Sequence, residues 1–72
     1  MWASQSYLEA IAKRYLYEAE VNEKAGNYID AARNYRKAAE ILQRLVLNHK
    51  DSPMSSVYKQ LVDGYLKKAQ QL

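Results

Sequence analysis

Apolar residues recur every three or four positions through this chain, the spacing that lines up one face of an α-helix. In the first stretch Leu8, Ile11, Tyr15 and Ala19 carry the repeat, with Asn22 in register at its end. Tyr28, Ala31, Ala32, Tyr35, Ala38, Ala39, Leu42, Leu45 and Val46 carry it in the second. Tyr58, Val62, Tyr65, Ala69 and Leu72 form the third stripe. The spacing predicts three helices, over about 6–25, 28–48 and 53–71.

The breaks carry their own signals. Ser6-Tyr7-Leu8-Glu9 reads as a capping box, the serine bonding forward to an orphan amide and the glutamate bonding back. Gly26 stands where a left-handed C-cap is wanted. Asn27 then caps the second helix, with Asp30 in its first turn, where an acid is favoured. His49 and Lys50 suit the negative end of that helix. In Asp51-Ser52-Pro53 the serine is an N-cap and the proline takes the first helical position. Alanines on the second helix allow close approach of its neighbours, and tyrosines fill the gaps. Connections this short force antiparallel neighbours, so the expected fold is all-α, an antiparallel three-helix bundle running up-down-up. Neither glycine nor proline closes the third helix after Leu72. It is expected to continue, with 1–72 the N-terminal part of a longer protein.

Composition narrows the function. Seventy-two residues make one small domain, and an apolar share of 49% excludes a disordered tail. Without cysteine there is neither a disulfide framework nor a thiolate metal site. No apolar run is long enough to span a membrane. Met1 to Ala12 lacks the basic and apolar regions of a secretory leader, so a cytoplasmic protein is expected. With His49 the only histidine, and Gly26 and Gly64 the only glycines, no metal cluster or phosphate-binding loop can be assembled. The chain by itself is expected to be no enzyme and to need no cofactor. Its net charge of +3 comes from the second helix, through Arg33, Arg36, Lys37, Arg44 and Lys50. At 100° per residue Arg33, Lys37 and Arg44 lie opposite Tyr35 and Leu42, with Glu40 among them. That is a solvated face and not the dense basic patch of a nucleic-acid binder. Seven tyrosines and no phenylalanine suggest core rings with hydroxyls reaching the surface.

The string Ala25-Gly26-Asn27-Tyr28-x-x-Ala31, continued by Tyr35-x-x-Ala38, resembles the helix 1–helix 2 junction of a MIT (microtubule-interacting and trafficking) domain. Tyr65-Leu66-x-x-Ala69 extends the resemblance along most of the chain. The same string is similar to the second helix of a tetratricopeptide repeat. A repeat of that kind should end near Gln43 with a proline, whereas the apolar pattern runs on through Leu45 and Val46. A solenoid also needs stacked copies, and Asp51 to Leu72 does not repeat the string.

The MIT resemblance implies a peptide-binding adaptor for C-terminal motifs of ESCRT-III-like filament subunits. Such domains sit on proteins that act on those filaments, notably the AAA ATPase that takes them apart. The compact helices and short second loop look closest to the archaeal cell-division form. The family uses two grooves. Helical motifs lie between helices 2 and 3, commonly against an apolar residue followed by an acid on helix 3; here Leu66 matches, but Lys67 stands at the acidic position. Extended, proline-containing motifs lie between helices 1 and 3. Helical geometry turns Leu66 and Lys59 toward helix 2, and Val57, Leu61, Gly64 and Lys68 toward helix 1. The expected site is therefore the helix 1/helix 3 groove. Leu16 and Leu61 would contact apolar side chains, while Ala12 and Gly64 give a backbone room. Glu9, Lys13, Glu20 and Lys68 would set orientation at the rim. The isolated domain is expected to be a monomer that binds no nucleic acid and does not insert into membranes.

Overall fold

The computed structural model describes residues 4–72, so the first three residues of the segment read for a leader lie outside it. Three helices follow one another: α1 (Gln5–Lys24), α2 (Tyr28–Asn48) and α3 (Met54–Gln71). Each boundary falls within one residue of the sequence expectation, yet the caps are made differently.

α1 is capped by Ser4, not Ser6. Ser4 is extended (φ −70°, ψ 159°), and its Oγ accepts from the Tyr7 amide at 3.1 Å. Ser6 is thus an ordinary residue of the first turn, and Glu9 is released from capping to bond across to α3. At the other end Gly26 adopts φ +83°, the left-handed geometry its position required. Its amide donates to the Glu23 carbonyl at 3.1 Å, and the Asn27 amide donates to the Asn22 carbonyl at 2.8 Å. These two bonds form a Schellman turn, which satisfies carbonyls otherwise left open.

Asn27 begins α2 but does not cap it with its side chain. The turn leaves Asn27 at φ −86°, ψ 70°, short of the extended conformation that side-chain capping uses. Its amide group instead donates to Asn22 Oδ1 at 3.4 Å. Asp30 occupies the first turn as expected, 3.6 Å from Arg33. At the second break Ser52 Oγ accepts from the Met54 amide at 3.2 Å, while Pro53 already has helical dihedrals (φ −56°, ψ −28°).

α2 is the middle of the molecule. It buries Ala31, Ala32, Tyr35, Ala38, Ala39, Leu42 and Leu45, a face wide enough for a neighbour on each side. Both α1 and α3 pack on it, while no Cα of α1 comes within 8 Å of one in α3. A closed triangle of helices about 9 Å apart would measure only about 14 Å across in both directions. The Cα envelope is instead 23 Å by 14 Å in cross-section, so the bundle is open on the α1/α3 side. Two clusters fill the interior. Leu8, Ala12, Ala39, Leu42, Leu45, Tyr58 and Val62 form one; Ala19, Ala32, Tyr35 and Ala69 form the other.

The tyrosines depart from expectation. Only Tyr35 and Tyr58 are buried; Tyr15 and Tyr65 are half-buried, and Tyr7, Tyr17 and Tyr28 are exposed. Alanines at the contact faces bring the helices too close to admit more rings. Tyr17 lies half a turn round from buried Leu8, and Tyr28 sits in the first turn of α2, beside the turn that joins it to α1. Among the described residues no helix is long and apolar enough to cross a membrane.

Candidate functional site: the groove between α1 and α3

Because the backbones of α1 and α3 stay apart, each packed on α2, a groove runs between them. Leu42 of α2 lies at its base, Ala12, Lys13 and Leu16 line it from α1, and Val57, Leu61 and Tyr65 line it from α3. The space between them amounts to about 240 Å³. Ala12 is almost wholly buried and belongs to the floor, whereas Val57 and Leu61 remain exposed on the wall. The lining is mainly apolar, with polar groups concentrated at the rim. Such a surface can bury a few side chains of an extended segment.

Of the eight residues expected from the sequence, the groove gathers Glu9, Ala12, Lys13, Leu16 and Leu61. Glu20 and Gly64 are exposed and lie outside this lining. A Cβ added at Gly64 would meet nothing within 4 Å, so no contact within the chain demands glycine there. Lys68 also lies outside the lining, its Nζ 2.9 Å from Glu23 Oε2. The structure adds Met54, Val57, Tyr58 and Tyr65 to the site. Met54, Val57 and Leu61, at three- and four-residue spacing, were a visible signal, an apolar stripe beside the core stripe that holds Tyr58 and Tyr65. The part played by Glu23 had no such signal, because its partners lie 12 and 45 residues away.

Two polar straps cross from α1 to α3. At one end buried Tyr58 donates from Oη to Glu9 Oε1 at 2.5 Å and accepts from Gln5 Nε2 at 2.7 Å. At the other end Glu23 ties all three helices. Its Oε1 accepts from Tyr35 Oη of α2 at 2.7 Å, and its Oε2 faces Lys68 of α3. The Tyr58 hydroxyl, followed by Gln5, lowers the Glu9 carboxyl below its ordinary value. Lys68, followed by the Tyr35 hydroxyl, does the same to Glu23. Burial, reinforced by the Glu23 carboxylate, raises the Tyr35 phenol from 10.0 to about 12. Tyr58 is raised by burial and by Glu9, and Tyr65 by burial and the charge of Glu20.

A second groove of about 470 Å³ lies between α2 and α3, lined by Gln43, Val46, Leu47, Lys59, Val62 and Asp63. Leu66 packs part-buried against the core, leaving Leu47 as the exposed apolar side chain of this groove. Among the described residues no cluster of three His, Asp or Glu side chains is placed to hold a metal ion.

Over 59 residues the chain is 36% identical to Cell division protein C of Sulfolobus acidocaldarius. The match takes in 82% of this chain but only 16% of that protein's length. No family model matches the chain, and no solved structure matches it.

Proposed function

We propose that this chain is a MIT-type adaptor module of a cell-division protein, working by binding and not by catalysis. Its ligand is an extended, proline-containing C-terminal segment of an ESCRT-III-like filament subunit, seated between α1 and α3. The observation that carries this reading is the open groove itself. α1 and α3 stay apart along their length, apolar side chains line the gap, and ionised groups stand at its rim. The similarity to Cell division protein C supports the biological setting. The Gly26-Asn27-Tyr28 junction and its sequel support the module type. In the full-length protein the module would deliver an AAA ATPase to its filament.

A contact of this size falls below the ~1,200 Å² at which standard interfaces begin. The expected Kd is on the order of 10–100 μM, about −6 kcal/mol. Several copies on one assembly would gain avidity on a filament and still let go.

The α2/α3 groove is the second reading, favoured by its larger volume and by exposed Leu47. Paired charge insertions separate the two. Leu61→Asp should abolish binding of the filament segment, and Leu47→Asp should leave it within about twofold, with helicity retained in both. The reverse pattern assigns the ligand to the α2/α3 groove. Sedimentation should show a monomer; an obligate dimer would favour a fragment of a tetratricopeptide scaffold.

A further inference from the structure

The groove is not open along its whole length. Its lining ends at Leu16 on α1 and Tyr65 on α3, short of Glu23 and Lys68. That end is where the Glu23 carboxylate joins Lys68 across the gap and holds Tyr35 beneath it. The two helices share no close backbone contact, so only side chains join them across the gap there. Lys68 and Glu23 are 41% and 27% exposed at their side chains, so the pair spans the mouth of the gap in contact with solvent.

We propose that the Glu23–Lys68 strap closes one end of the α1/α3 groove and so fixes where the segment it accepts must stop. This inference rests on the docking role given to the groove above. Fourteen residues separate Glu9 from Glu23 on α1, and ten separate Tyr58 from Lys68 on α3. At 1.5 Å per helical residue the straps stand about 15–21 Å apart along the groove. An extended chain covers that distance with about five or six residues, at roughly 3.3 Å each. The next residue meets the ion pair and must leave the surface. Lys68 thus acts as a stop within the molecule, and its ammonium is already engaged by Glu23. Any orienting of a bound segment falls to Lys13, for which no ion pair forms among the described residues.

The test compares two synthetic proline-containing apolar peptides, of five and nine residues, sharing the same five-residue core. Each is titrated by calorimetry against the 72-residue chain and its Lys68→Ala and Glu23→Gln variants. The unaltered chain should bind both peptides within about twofold. Lys68→Ala should bind the longer peptide about tenfold tighter than the shorter, the worth of one further buried apolar side chain. Glu23→Gln, which keeps an acceptor for Tyr35, should move the same way. A length advantage already present in the unaltered chain, or none in either variant, overturns the stop.

A second measurement needs no ligand. Spin labels at Val21→Cys and Gln71→Cys, outside the groove lining, report the gap at this end. Lys68→Ala should lengthen and broaden their distance distribution. An unchanged distribution overturns the strap. If neither peptide binds the unaltered chain but the distance widens, the docking role fails while the strap stands.

Discussion

Replacing Tyr58 by phenylalanine removes a single oxygen from a buried ring and should uncouple α1 from α3 at one end. The hydroxyl donates to the Glu9 carboxylate at 2.5 Å and accepts from Gln5 at 2.7 Å. A hydrogen bond to a charged group is worth about 1.5–3 kcal/mol net, and a neutral one about 0.5–1.5 kcal/mol. Glu9 is half-buried and Gln5 exposed, so water replaces much of what both lose. The low end of each range applies, and the expected loss is about 2 kcal/mol at pH 7. For a domain of this size that lowers Tm by on the order of 10 °C. The pH dependence identifies the cause. Tyr58 is the largest influence holding the Glu9 carboxyl below its ordinary value of 4.5. A carboxyl depressed in the folded state contributes stability above its unfolded value, which is lost as pH falls through the folded one. The unaltered chain should therefore lose more stability on acidification than Tyr58→Phe, and the two should converge. Urea unfolding of both at neutral pH and at about pH 2.5 measures the convergence. A difference that is equal at both pH values, or below about 0.5 kcal/mol at pH 7, would refute the assignment of this bond as a strap.

Three further outcomes follow from other features. Gly26→Ala should destabilise by about 1–2 kcal/mol in a thermal melt, because φ is +83° and every residue but glycine is strained there. The neighbouring space is empty, so a neutral result would mean that the turn had changed its conformation. Ala38→Leu should cost about 1–3 kcal/mol, since Ala38 is fully buried where α2 meets its neighbours; a negligible loss would show that contact to be loose. At high pH stability should fall from about pH 10 to about pH 12, because the Tyr35 phenol, raised to about 12, keeps its proton after the unfolded chain has lost it. Two pKa units correspond to about 3 kcal/mol, and Tyr35→Phe should abolish that part of the alkaline loss.

The helices were legible because their punctuation is local. Gly26 and Ser52-Pro53 act within a turn of themselves, and each break came out where those residues stand. The alanine face of α2 was legible too, since small residues at helical spacing mark close contact. The choice of cap at α1 was not. Ser4 and Ser6 are equivalent by residue type, and the deciding fact is that Glu9 finds a partner on α3. The Asn27 side chain was misread for a related reason: the turn before it fixes its backbone away from capping geometry. Tyrosine placement failed at longer range. A tyrosine beside an alanine contact has no room to enter, and that is a property of the neighbouring helix.

Walls and floor of the groove answer to different demands, and this separates stability from binding. Leu42, Ala12 and Tyr58 lie at its base as members of the core, so changing them should unfold the chain before it alters recognition. Val57 and Leu61 reach the same groove from exposed positions and support little of the fold. The division follows from the breadth of α2's buried face. A helix with small residues on two sides seats one neighbour on each, and those neighbours cannot then close on one another. Their facing sides keep an apolar stripe with no partner within the chain, bridged only where a tyrosine hydroxyl or a lysine reaches a carboxylate. A peptide that fills the stripe replaces water over Val57 and Leu61 without disturbing what holds the three helices together. Recognition can therefore vary through wall residues while the alanine-lined contacts stay unchanged.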